Sequence, residues 1–184
     1  MRKSCICLIL MVLMLGAGAN AFDGNRKGFV LGGGLGFGPV AKVTHDDYEV
    51  LNKSGLAMDF LIGYAWDEQN MIVFLRDGVI YNEKSIWDTD ITLAQGFSGV
   101  GYFHYFGPVG KSFYIVGGLG FQDWTSLESN VDSNDVGAGL LIGCGYEFVR
   151  HVQVHGSLSF GKSSDPLFDY NHTQLQIGVS AVAF

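Results

Sequence analysis

Eight segments of the chain alternate between apolar and small or polar residues, and the last of them ends on Phe184. A period of two is typical of β-strands with one apolar face. Inside hydrocarbon every backbone N–H and C=O group must be paired, so strands cross a membrane only as a closed barrel without edges. The pattern therefore predicts an all-β fold, an eight-stranded antiparallel up-and-down transmembrane β-barrel.

The large apolar residues of each segment are predicted to face the lipid. The third segment is the least regular: if Arg76 faces the interior, Asp77 shares the lipid face unless Asp77 and Gly78 form a bulge. The predicted lipid faces are Phe29, Leu31, Leu35 and Phe37; Leu56, Met58, Phe60, Ile62, Tyr64 and Trp66; Val73, Leu75 and Val79; Leu93, Phe97, Phe103 and Tyr105; Phe113, Ile115, Leu119 and Phe121; Val136, Ala138, Leu140, Ile142, Tyr146 and Phe148; Val152, Val154, Leu158 and Phe160; Leu175, Ile177, Val179, Ala181 and Ala183.

Short and long connections are predicted to alternate between these segments. Outer-membrane barrels have short periplasmic turns and long outside loops, with both termini on the periplasmic side. The short links are predicted at 67–70, 107–111 and 150–151, and the long ones near 39–54, 82–90, 123–135 and 161–171.

The first 21 residues read as a cleaved secretory signal. Arg2 and Lys3 form a positive start, an apolar stretch of residues follows, and Ala19-Asn20-Ala21 is a small-x-small cleavage site. The apolar stretch is well short of the roughly 20 residues that span a bilayer as a helix. We therefore expect residues 1–21 to be a signal peptide and residues 22–184 to form one barrel domain.

Charge and cysteine content narrow the function further. Without Arg2 and Lys3 the formal charge of the chain falls from −7 to −9, which argues against nucleic-acid partners and against binding to acidic lipid headgroups by charge alone. Cys144 is the one cysteine left after cleavage, and its apolar neighbours at two-residue spacing predict a small hydrophobe without a redox role.

The glycine-rich segment from Gly28 to Gly36, the eight alternating segments and the terminal Phe184 together resemble the small outer-membrane barrel families of the OmpA, OmpX and OmpW type. The resemblance implies an integral outer-membrane protein in contact with membrane lipid and lipopolysaccharide. It also implies delivery by periplasmic chaperones and insertion by the barrel assembly machinery, which reads the last strand, so Phe184 is the predicted assembly signal. The alternation nevertheless puts Phe184 in register with the interior residues Gln174 and Gln176.

The polar residues that alternation directs inward form the candidate functional site. An eight-stranded barrel is just wide enough for its own side chains, so the favoured interpretation is a hydrogen-bonded, partly charged plug. The alternative is a narrow gated conduit in which Arg76 switches between Asp59 and Glu147. The predicted lumen network is Asp59, Arg76, Glu147, Gln153, His155, Gln174 and Gln176, with Ser157 beside it.

Two other classes of protein were weighed against this membrane barrel. His155-Gly156-Ser157 faintly resembles the His-x-Ser of lipid A 3-O-deacylases, but Leu158 stands where that family carries Asn and no acidic partner follows. A secreted lipocalin-like barrel would need an apolar interior, whereas the predicted inward faces are glycine-rich and polar. We therefore expect a protein that is not an enzyme, has no cofactor and serves envelope structure or surface interaction, with a narrow porin-like channel as the alternative.

Acidic residues collect in the predicted long loops, and aromatic residues near the predicted strand ends. The loop carboxylates are interpreted as solvated charge, and no metal site is predicted, although such loops could bind Ca²⁺. The rings are expected to lie at the bilayer boundary. The acidic residues include Asp46, Asp47, Glu49, Glu83, Asp88, Glu128, Asp132 and Asp165, and the rings are Trp66, Tyr81, Trp87, Tyr105, Trp124 and Tyr146.

Overall fold

The computed structural model describes residues 25–45, 48–84, 90–127, 134–164 and 169–184. These residues contain eight strands and no helix that could span a membrane. The strands are β1 (Gly28–His45), β2 (Tyr48–Ala65), β3 (Asn70–Lys84), β4 (Asp90–Tyr105), β5 (Ser112–Ser126), β6 (Asn134–Val149), β7 (Val152–Ser164) and β8 (Asp169–Ala183).

The sheet closes on itself. Each strand pairs antiparallel with the next, and β8 returns to pair with β1, with Leu31 opposite Ala183. Closure leaves no unpaired edge, which is what a membrane-spanning sheet requires. β1 begins and β8 finishes at the same side of the barrel, which is here called the terminal end. The opposite side, where β1 is followed by β2, is called the loop end. The predicted eight-stranded up-and-down transmembrane barrel is confirmed.

A belt of large apolar side chains covers the outside of the barrel. Leu119 is 72 % exposed, and residues on all eight strands contribute. Such a continuous apolar surface is suited to lipid rather than water. The predicted lipid faces of β1, β2, β5, β6, β7 and β8 are confirmed by exposed residues that include Phe37, Phe60, Phe121, Ile142, Val154 and Ile177.

The predicted faces of β3 and β4 are wrong, because each strand has the opposite orientation. Ile72 and Phe74 of β3 are exposed on the outside, and Asp77 is buried inside without any bulge between β2 and β3. A shift of one residue turns every side chain of a strand to the other face, and both faces of β3 carry apolar residues. The side chains that instead face the lumen are Val73, Leu75, Val79, Leu93, Phe97, Phe103 and Tyr105.

The connections do not alternate in length as predicted. The first one, expected near 39–54, consists mostly of strand, because β1 continues to His45 and β2 begins at Tyr48. β1 and β2 also contain irregularities, between Gly38 and Ala41 and again near Val43. The extra length at the loop end therefore lies in strands that extend the barrel rather than in long loops.

The turns at the terminal end are tight and locally hydrogen-bonded. Between β2 and β3, the Asp67 carboxylate accepts hydrogen bonds from the backbone N–H groups of Gln69 at 2.8 Å and Asn70 at 2.7 Å. The Asn70 side chain also donates a hydrogen bond to Asp67 at 2.9 Å. This bond is the largest cause of the lowering of the pKa of Asp67 below its ordinary value. Between β6 and β7, His151 adopts a left-handed backbone conformation with φ of 69°.

The interior of the barrel is filled by two apolar clusters. The terminal-end cluster is built around Phe97, Phe103 and Tyr114, and the loop-end cluster around Tyr81 and Leu93. The lumen is therefore more apolar than predicted, because β3 and β4 turn their large side chains inward. Of the rings expected at the bilayer boundary, Trp66 and Tyr146 lie outside, whereas Tyr81, Tyr105 and Trp124 pack inside; Trp87 lies outside the described residues.

Candidate functional site in the lumen

An ion pair closes the terminal end of the lumen. Arg26, which precedes β1, is 0 % exposed and pairs with the Glu147 carboxylate of β6. The Arg26 guanidinium also donates to the backbone oxygen of Glu68 at 2.5 Å and lies 3.5 Å from the ring centre of Tyr105. The ring of Phe184 completes this group, 5.7 Å from the guanidinium carbon and 1 % exposed. These five residues, Arg26, Glu68, Tyr105, Glu147 and Phe184, are here called the terminal plug.

A second polar group lies halfway along the lumen. The Asp59 carboxylate of β2 accepts from the Ser180 hydroxyl at 3.0 and 3.1 Å, and its Oδ1 lies 3.3 Å from Nε2 of His155. Nδ1 of His155 is 3.0 Å from the same hydroxyl. Beside them, Ser157 donates to the Asp77 carboxylate at 2.7 Å. Asp59 and Asp77 are direct cross-strand neighbours, so two carboxylates share this layer.

The free space in this layer is small. The cavity between the Asp59 and Asp77 side chains, His155 and the ring of Tyr114 has a volume of about 30 Å³. A cavity needs roughly 10–15 Å³ to hold one water molecule, so this one holds very few. The group is thus a packed polar layer rather than an open passage.

A third layer, nearer the loop end, consists of neutral amides. Gln95, Gln122, Gln174 and Gln176 are all buried, and Gln95 spans the lumen to donate to the backbone oxygen of Thr173 at 3.4 Å. Above this layer, the Ser163 hydroxyl and Nε2 of His172 are 2.7 Å apart. Uncharged amides can occupy a barrel interior at a much lower desolvation cost than ions.

Arg76 lies on the outer face of the barrel and not in the predicted lumen network. It is paired with the exposed Phe60 on β2 and with Ser98 on β4. Its guanidinium donates to the Ser98 hydroxyl at 2.7 Å and forms an ion pair with Asp123 of β5 at 2.6 Å. A Cβ atom at Gly96 would lie 3.0 Å from Nη2 of Arg76, so the side chain crosses β4 over this glycine.

The other predicted lumen residues do face the interior, in separate layers. Glu147 belongs to the terminal plug, and Gln153 accepts a hydrogen bond from the Tyr105 hydroxyl at 3.1 Å. Asp59 and His155 form the middle layer, and Gln174 and Gln176 belong to the amide layer. A switch of Arg76 between Asp59 and Glu147 is therefore excluded by its position outside the barrel wall.

His155 and Ser157 face the lumen but have different partners. His155 contacts Asp59 and Ser180, whereas Ser157 donates its hydroxyl proton to Asp77. Neither side chain is directed toward the lipid, where an acylated substrate would lie. His155 and Ser157 therefore do not form the hydrogen bond that the predicted pairing of a base with its serine nucleophile requires.

Two solved structures share this architecture. Ail, the attachment invasion locus protein of Yersinia pestis, solved in complex with the heparin analogue sucrose octasulfate, is 12% identical, with a TM-score of 0.59 over 85% of this chain and 99% of that chain. Neisserial surface protein A is 13% identical, with a TM-score of 0.56 over 83% and 96% of the two chains. The chain has the fold of a small outer-membrane barrel. No protein-family model and no curated protein matches its sequence.

Sequence reasoning missed three residues of this small barrel's interior. Arg26 precedes β1 and lies outside every alternating segment. The alternation of apolar and polar residues therefore could not predict whether its side chain faces the lumen or the lipid. Asp77 was assigned to the lipid face through the inverted β3, and Ser180 gave no signal beyond its inward register with Gln174 and Gln176. The predicted signal peptide and most acidic loop residues lie outside the described residues, so those expectations stay predictions.

Proposed function

We propose that the protein is an integral outer-membrane barrel with a structural or surface-interaction role, without steady conductance and without enzymatic activity. The observation that carries this proposal is the filled lumen. The terminal plug, the apolar clusters and the middle polar layer leave a cavity of only about 30 Å³ between Asp59, Asp77 and His155. A solute would have to displace buried, mutually bonded side chains at several successive levels.

The proposed location follows from the belt and from the predicted export signal. The apolar belt requires a lipid bilayer, and membrane barrels of this kind are found in outer membranes. In this account residues 1–21 are removed, periplasmic chaperones deliver the chain, and the barrel assembly machinery inserts it. Phe184 remains the proposed assembly signal; its ring would then turn inward when β8 closes against β1, since in the folded barrel it is buried beside His151.

The loop end is the proposed interaction surface. It carries the ion pairs Lys53–Glu83 at 2.6 Å and Lys42–Glu49 at 3.3 Å at the ends of the extended strands. The Yersinia protein binds a sulfated heparin analogue in its crystal structure. A chain with a formal charge of −9 after signal removal is poorly suited to such a polyanion. We therefore propose that the partner bound at the loop end outside the bilayer is neutral or cationic.

Planar-bilayer recording of the refolded protein tests the proposal. We expect no steady conductance from the wild-type protein. The terminal plug, the middle polar layer, the amide layer and the two apolar clusters should block the passage of ions. An open porin inserted under the same conditions controls for the sensitivity of the recording. Steady single-channel currents that change when Asp59 is replaced by alanine would instead support the narrow-channel alternative.

The enzyme alternative has its own test. Because His155 and Ser157 are inside the barrel and bonded to separate carboxylates, lipid A from cells that overproduce the protein should have an unaltered acylation pattern by mass spectrometry. A lost acyl chain that returns with Ser157→Ala would contradict the non-enzymatic proposal.

A further inference from the structure

A groove on the lipid-facing surface of β6, β7 and β8 combines an apolar floor with a basic rim. Its volume is about 490 Å³, and it lies toward the loop end. Ala138, Leu140 and Phe160 form the floor, and Lys162, Asn171 and Thr173 form the rim. Ala138 is the small residue of the floor, beside the larger Leu140 and Phe160.

Lys162 is the distinctive residue of this rim. It is exposed, it lies opposite Asn171 in the register of β7 and β8, and no ion pair or hydrogen bond joins it to another described residue. Two other outward cations are paired: Arg76 with Asp123, and Lys42 with Glu49. Lys162 is thus an uncompensated cation on a protein whose overall charge is strongly negative.

A second lysine lies nearby on the other side of β8. Lys42 of β1 is opposite Thr173, and Thr173 is opposite Phe160 of β7. The pair of Lys42 with Glu49 is exposed on both sides, so it is weak and can yield to another anion. Lys162 is opposite Asn171, so the two lysines lie on opposite sides of β8 at levels two residues apart.

The position of the groove relates it to the bilayer. Along β7 the outward residues change from Val154 and Phe160, which are apolar, to Lys162, and along β8 from Ile177 to Thr173 and Asn171. This change marks the upper boundary of the apolar belt, where lipid headgroups meet acyl chains. Lysines at that boundary attract anionic lipid headgroups.

We propose that this groove is a binding site for a phosphate-bearing anionic lipid of the loop-side leaflet, with an acyl chain on the Ala138–Leu140–Phe160 floor and a phosphate at Lys162 and Lys42. The apolar floor favours a lipid over free phosphate, and the basic rim favours an anionic lipid over a zwitterionic one. Identifying that leaflet as the outer one rests on the proposed outer-membrane location; the site itself requires only a membrane barrel.

The test measures lipid binding to the refolded barrel by native mass spectrometry from zwitterionic detergent micelles. The probe is diphosphoryl lipid A, with phosphatidylcholine as the zwitterionic comparison. A lysine near a membrane surface contributes about 1 kcal/mol to the attraction of anionic lipid, so Lys162→Gln should weaken lipid A binding about fivefold. Ala138→Phe, which fills the floor while both lysines stay in the chain, should weaken it as well.

A matched control separates this site from general charge effects. Lys111→Gln removes an exposed lysine from the β4–β5 turn at the terminal end and should leave binding unchanged. Equal binding of phosphatidylcholine and lipid A, no effect of Lys162→Gln and Ala138→Phe, or full competition by millimolar inorganic phosphate would each overturn the proposal. Lipid binding and conductance are measured separately. A negative result for lipid binding would therefore overturn the lipid site without contradicting the proposed closed barrel.

Discussion

Replacement of Arg26 by alanine should destabilise the folded barrel by about 3–5 kcal/mol, because it leaves the buried Glu147 carboxylate without its counter-charge. The same change removes the guanidinium from the Tyr105 ring and from the backbone oxygen of Glu68. The measurement is the free energy of unfolding in urea for barrels refolded into lipid vesicles.

Two further variants isolate the ion pair as the cause. Lys27→Ala removes the neighbouring, exposed cation and should have little effect. The double variant with Arg26→Ala and Glu147→Ala should lose less stability than the sum of the single changes, since no buried charge remains unpaired. Additive losses in the double variant would show that Arg26 and Glu147 do not stabilise each other.

Replacement of Phe97 by alanine should cost about 3–5 kcal/mol, because the ring fills the lumen and its removal leaves a cavity. Phe97 is 0 % exposed, and a Cβ atom at Gly139 across the barrel would come within 3.1 Å of its ring. Gly139 itself has no side chain that could fill the space left by the ring. The change in unfolding free energy in lipid vesicles measures this effect.

Phe74→Ala supplies the comparison for Phe97. Phe74 lies on the adjacent strand but points outward and is half exposed, so lipid chains can fill the space that its ring leaves. We expect a clearly smaller loss than for Phe97→Ala. A larger loss for Phe74 than for Phe97 would mean that the sequence-based orientation of β3 and β4 was right and that the orientation described here is wrong.

Sequence periodicity was sufficient for the strand number, the topology and six of the eight strand orientations. In those six strands, residues such as Met58, Leu119 and Val179 alternate with glycine or polar residues, so only one face suits lipid. β3 and β4 are different because both of their faces are apolar. When both faces of a strand carry apolar residues, the period of two shows which side chains share a face. It does not show which face is directed toward the lipid.

The adjacent charges Arg76 and Asp77 explain why β3 was oriented wrongly. One of the two must face outward, and placing the arginine inside follows the rule that cations avoid lipid. The structure has the opposite solution because a long side chain can extend along the barrel wall toward a partner, as Arg76 does to Asp123. The short Asp77 side chain has no such reach, and inside the lumen it binds Ser157.

The terminal plug depends on contacts that no local pattern encodes. Arg26 and Glu147 are 121 residues apart, and the closed barrel brings them into contact. The inward direction of Phe184 was predictable from its register with Gln174 and Gln176, but its contact with Arg26 was not. Long-range pairing of this kind follows from the closed topology rather than from the alternation.

Heat-modifiability of the protein in an isolated outer-membrane fraction shows whether the chain forms a closed barrel in the membrane. Boiled and unboiled samples are compared on a denaturing gel, because a closed barrel with fully paired strands resists detergent at room temperature. We expect a faster-migrating band in the unboiled membrane sample and one slower band after boiling. A protein found only in the soluble fraction, with the same mobility before and after boiling, would contradict the claim that it is a membrane-spanning barrel.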